Sequence, residues 1–111
     1  MSDLSNVKSI YIAGKMSGIE CFNFERFFYH AHRLKLEGFE VFNPAQIDCE
    51  KMLDGWQYTA DQYEAVLAHD LEIIRTQVDA VYMLRGWEDS PGATRERALA
   101  LELGKPVVYE L

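Results

Sequence analysis

The chain is short of cysteine, proline and basic residues, and each shortage excludes a class of protein. Two cysteines, Cys21 and Cys49, are too few for a disulfide scaffold and fit a reduced, cytoplasmic protein. Neither stands in a ligand cluster, and His30, His32 and His69 lack zinc spacing, so no metal and no cofactor is expected. With only three prolines and seven glycines there is no linker or low-complexity tract, and no internal repeat is visible. Eleven basic residues against eighteen acidic ones give a net charge of −7, which argues against wrapping a nucleic-acid duplex. A free nucleotide stays open, because a few local donors hold one phosphate. No apolar run approaches a membrane span, and "MSDLSNVKS" does not read as a signal peptide, so no membrane partner is expected. What is present is 49% hydrophobic residues in 111 positions, enough for one core. Residues 1–111 therefore read as a single domain.

Along the chain, β-type and helix-type patterns alternate. "VKSIYIAG" is a β-branched run ended by glycine, as in a buried parallel strand. Phe24, Phe27, Phe28, Ala31 and Leu34 follow helical spacing, with Asn23 as a candidate N-cap and Gly38 as the stop. "FEVF" is a short strand closed by "NPAQID". Residues 49–60 read as an irregular loop containing Trp56. Tyr63, Val66, Leu67, Leu71 and Ile74 mark a second helix, "VDAVYML" a third strand, residues 92–103 a third helix, and "PVVYEL" the last strand. Strands separated by helices predict a small Rossmann-like (flavodoxin-like) three-layer α/β domain with a four-stranded parallel sheet. Ligands in such folds bind beyond the carboxyl ends of the strands. That rim gathers three loops: "GKMSG", "NPAQ" and "GWEDSPG".

The candidate chemistry lies on this rim. Gly14, Lys15, Met16, Ser17 and Gly18 join a strand to a helix. The glycines let backbone N–H groups approach an anion, and Lys15 and Ser17 add a charge and a hydroxyl. The spacing is neither a Walker loop nor the dinucleotide fingerprint, and a plain tight turn is equally consistent with it. Ser90 suits the N-cap of the third helix and Pro91 its first position, with Gly92 and Ala93 leaving the backbone open to an oxygen ligand. Glu96 shares a helical face with Gly92, Leu99, Ala100 and Leu103, the stripe that should pack on the sheet. A carboxylate there is costly unless it is ion-paired or faces a cleft. Asp70 falls on the apolar stripe of the second helix, or else the helix breaks at His69 and Asp70 caps a shorter "LEIIRT" segment. Two inward carboxylates on neighbouring helices are the arrangement used at oxocarbenium-like sugar centres, one attacking and one managing a proton. Trp87 and Trp56 sit in loops where an aromatic face could stack on a base or simply pack. Tyr11, near the end of the first strand, reaches either the rim or a core partner. Glu88 and Asp89 are expected to face solvent.

Taken together, "IYIAGKMSG", "NFERF", "GFEVFNPA", "HDLEIIRTQVDAVYMLRGWEDSPGATRE" and "ALELGKPV" resemble the nucleoside 2-deoxyribosyltransferase-like superfamily. The closest branch is a small domain family common in phages and bacteria, related to the deoxynucleoside 5′-monophosphate N-glycosidases. The resemblance spans about Ile10 to Val108. It implies cleavage of an N-glycosidic bond by a glutamate nucleophile, matched by Glu96, through a 2-deoxyribosyl ester passed to another base or to water. It implies that Asp70 moves a proton at the base and that Tyr11 orients nucleophile and sugar. From the monophosphate branch it implies a 5′-phosphate held by Lys15, Met16, Ser17, Gly18, Ser90 and Gly92. Its members share sites across subunits, so a homodimer or higher homo-oligomer is expected, with a small nucleoside or nucleotide as partner. The chain departs from the pattern in two places. Its end, "YEL", does not match the carboxylate that a neighbouring subunit supplies in the transferases, and "GWED" is more acidic than the corresponding loop of the monophosphate glycosidases. Two other readings compete. One is a non-catalytic nucleotide-binding or sequestering module. The other is a ribonucleotide phosphoribohydrolase, for which "SPGATRE" has Ala93 where that loop carries a glycine.

Overall fold

Parallel pairing of four short, largely apolar runs builds the centre of the molecule. The computed structural model describes residues 6–15, 23–45 and 60–110. In chain order the elements are β1 (Ser9–Ala13), α1 (Phe24–Leu36), β2 (Glu40–Phe42), α2 (Ala60–Thr76), β3 (Ala80–Met83), α3 (Pro91–Glu102) and β4 (Val107–Tyr109), with a 3₁₀ turn at Trp87–Asp89. The strands lie in the order β2-β1-β3-β4, all parallel, with Tyr11 opposite both Phe42 and Val81. The expected four-stranded parallel α/β domain is therefore the observed one.

Period-two alternation sorts the side chains into two cores. Tyr11, Ala13, Val81, Met83 and Val107 face Ile73 and Ile74 of α2 and Ala93 and Ala100 of α3. Ile10, Ile12, Ala80 and Leu84 face Phe27, Ala31 and Leu34 of α1. Among the described residues α1 thus covers one face, and α2 and α3 cover the other. A uniform crossover hand requires this when the chain steps from β1 to β2 in one direction and then back past β1 to β3 and β4. The reversal opens a crevice at the carboxyl ends of β1 and β3.

Long-range polar contacts fix the ends of the elements. Lys105 Nζ donates to the carbonyls of Ile74, Arg75 and Val78 at 2.6, 3.0 and 2.7 Å, satisfying acceptors that the end of α2 leaves without partners. Glu110 is a second anchor. It accepts from the Arg85 N–H at 2.7 Å, pairs with His30 Nε2 at 2.6 Å and takes a short contact from Arg26, tying the end of β4 to α1. Burial pushes the Glu110 pKa up, but the Arg26 and Arg85 donors outweigh it and leave the pKa lowered. Among the described residues no helix is long and apolar enough to cross a membrane.

Candidate active site

A cavity of about 110 Å³ occupies the crevice, and it collects the side chains that the rim loops and inner helix stripes were expected to supply. Tyr11, Gly14 and Lys15 come from the end of β1, Asp70 from α2, and Ser90, Gly92, Ala93 and Glu96 from the start of α3. Pro44 adds the loop after β2, and Ile12, Phe27, Val66 and Leu67 supply apolar wall. Met16, Ser17, Gly18 and Trp56 lie outside the described residues.

The start of α3 is built as its sequence predicts. Ser90 has extended backbone, and its Oγ accepts from the Ala93 N–H at 3.1 Å, while Pro91 fills the first helical position. Because that bond uses Ser90 Oγ as acceptor, the hydroxyl hydrogen remains to donate. One turn on, the buried face runs through Gly92, Ala93, Glu96 and Ala100. Leu103 departs from expectation: it caps the helix and is 40% exposed, because α3 ends at Glu102. Asp70 sits within a continuous α2, so the alternative of a break at His69 is overturned.

Glu96 is 6% exposed, and its Oε2 has no hydrogen-bond partner among the described residues. Burial raises its pKa from 4.5 to about 8; the Tyr11 hydroxyl, donating to it, lowers the value and the nearby Asp70 charge raises it. Tyr11, itself buried, is pushed well above the ordinary phenol value, first by burial and then by Glu96 and Asp70, toward both of which its hydroxyl is hydrogen-bonded. Tyr11 is thus the link between the two carboxyl groups. Its ring is held by stacking on Phe42, with centroids 5.4 Å apart and planes inclined by 11°.

Three residues take places that the sequence did not indicate. Trp87 does not line the cavity; it packs 6.1 Å from the Tyr109 ring, with the Arg97 guanidinium 4.9 Å over its face. Asn23 has left-handed backbone, φ 62°, and makes no side-chain cap; its amide donates instead to the Lys15 carbonyl at 3.0 Å and braces the loop beside the cavity. Asp89 is exposed as expected yet also lines the cavity mouth, an acidic wall residue that loop composition alone did not single out.

Gly14 is required where it stands. A Cβ there would lie 2.9 Å from Leu84 Cβ and 3.0 Å from its Cδ1. Gly14→Ala should destabilise the fold by about 1–3 kcal/mol in urea denaturation, the usual cost of overpacking a core. A Leu84→Ala background removes the Cγ and Cδ1 contacts but keeps Leu84 Cβ, so it should relieve only part of that penalty in a double-mutant cycle, and additive effects would show that Cγ and Cδ1 are not the cause.

Fold and site together define a small parallel α/β domain with a tyrosine-linked pair of carboxyl groups in its switch-point crevice. The chain belongs to the family described as a domain of unknown function (DUF4406), which matches residues 8–109. A search of curated proteins finds no match to the chain.

Proposed function

We propose that the protein cleaves or transfers the N-glycosidic bond of a 2′-deoxynucleoside or its 5′-monophosphate, with Glu96 as nucleophile. The observation that carries this reading is the buried Glu96 carboxyl, presented to a cavity with one oxygen unpartnered among the described residues. A buried, unsatisfied carboxyl on a helix face costs stability, and such costs concentrate at functional sites. The resemblance of the segments around Tyr11, Asp70 and Glu96 to nucleoside 2-deoxyribosyltransferase-like proteins supports the same roles. A cytoplasmic setting and self-association belong to that reading too.

In the proposed first step a Glu96 oxygen forms a bond to C1′ while the C1′–N bond breaks and its electron pair leaves with the base. Asp70 relays a proton from water to the departing nitrogen. In the second step water, or a nitrogen of another base, attacks C1′. The ester bond breaks, Glu96 leaves as carboxylate, and Asp70 takes the attacking group's proton and returns it to solvent. Tyr11 holds the nucleophile through its hydroxyl. Lys15 and the Ser90 hydroxyl line the wall where a 5′ substituent would be held.

Incubation with a panel of deoxynucleosides and their 5′-monophosphates, with chromatography for free base, tests the reaction. Mass spectrometry of the denatured protein tests the intermediate. The expected result is base release together with a deoxyribosyl adduct on Glu96. No release or exchange from any substrate, or an adduct on another residue, would overturn the proposal. A nucleotide that raises Tm without being consumed would mark a binding module instead.

A further inference from the structure

Helix α1 covers its face of the sheet, and its outer surface has no partner among the described residues. That surface carries Phe28, Tyr29 and Leu36, exposed by 41%, 56% and 73%. Glu25, Tyr29 and Arg33 follow at intervals of four residues and form one ridge across it. Arg33 lies 5.9 Å over the Tyr29 ring, and neither Arg33 nor Glu25 has an ion pair among the described residues. A groove of about 360 Å³ runs beside the ridge toward β3 and β4, with Tyr29 and Arg33 in one wall and Tyr82 and Val108 among its other lining residues.

We propose that this ridge is the contact between two copies of the chain, packed antiparallel about a two-fold axis through Tyr29. The pattern is self-complementary. Rotation about Tyr29 sets Glu25 of each copy against Arg33 of the other and brings the two tyrosine rings together, with Phe28 and Leu36 flanking them. Ridges of residues four apart, packed into each other, make the commonest class of helix–helix contact. An isologous interface needs one patch that complements itself, whereas a foreign partner would place no such demand on the order acid–aromatic–base. The contact rests on the reading of the chain as self-associating but not on the reaction, and it departs from the shared-site arrangement that the resemblance implies. Glu96 and Asp70 lie on the opposite side of the sheet, with α2 and α3.

Sedimentation velocity at tens of micromolar protein tests the arrangement. The wild-type chain should sediment as a dimer, and Glu25→Arg or Arg33→Glu alone should weaken the dimer by ~10-fold or more through like-charge contacts. The double variant Glu25→Arg/Arg33→Glu should regain the dimer, because exchanging both charges preserves the cross-pairing. Circular dichroism should be native in all four proteins, since both side chains are exposed. Base release, if present in the wild type, should be retained in the single variants, which separates failure of the interface from failure of the reaction. A monomeric wild type, single variants that remain fully dimeric, or a natively folded double variant that stays monomeric would each overturn the proposal.

Discussion

Replacing Glu96 by Gln should abolish base release and make the protein more stable at alkaline pH. The loss of activity follows from removing the nucleophile and should reach about 10³-fold or more, since little but binding then remains. The gain in stability follows from linkage. The folded-state pKa of Glu96 is raised from 4.5 to about 8, so between those values the native state keeps a proton that the unfolded chain has released. The stability associated with this proton is fully present below about pH 4.5 and is lost progressively as pH rises to about 8. One pH unit in that window is worth about 1.4 kcal/mol at most. The Gln variant carries no such proton, so its Tm should exceed the wild type's by ~10 °C at pH 9 and differ little at pH 5. Thermal melts of both proteins across this range measure the effect. A constant Tm difference at every pH would mean that packing, not ionisation, separates them.

The same titration predicts the rate profile. Attack at C1′ requires the carboxylate, so kcat/KM should rise with pH and level off above about 8, the free-site value for Glu96.

Glu96 was legible in the sequence because helical periodicity placed a charge on a stripe otherwise made of Gly92, Leu99 and Ala100, and only a cleft or an ion pair explains that position. Asp70 was half legible. Periodicity put it inward, but aspartate also caps helices, and local sequence does not decide between a continuous helix and a break. Packing of Leu67, Ile73 and Ile74 onto the sheet side of one uninterrupted helix settles it. Trp87 was not legible. Its direction is set by the chain turn at Gly86, whose φ of 94° favours glycine, and by Arg97 and Tyr109, which are distant in sequence from that turn. Glu110 carried a signal that went unused. It stands two residues beyond Val108 and so falls on the α1 side of β4, where Arg26 and His30 wait for a carboxylate. The fold was the easiest part to read, since alternating patterns and short connections leave few arrangements for four parallel strands.

Asp70→Asn should separate proton management from simple structural support. Loss of the positioned proton relay at the departing base should lower kcat by about 10²-fold, and the effect should be smaller for substrates whose bases leave readily without protonation. The variant should also move the rate profile. Asp70 raises the pKa of Glu96 by like-charge repulsion, so removing its charge lets Glu96 ionise at lower pH. The rising limb of kcat/KM should therefore shift below about 8, even though the plateau is lower. Tyr11→Phe provides the opposite sign. Its hydroxyl favours the Glu96 carboxylate, so losing it should push the limb upward. Residues that merely supported the cavity walls would depress the rate without moving the limb in opposite directions. If both variants leave the limb in place, the ionisation that controls the rate does not belong to Glu96, and the assignment of Glu96 as nucleophile fails with it.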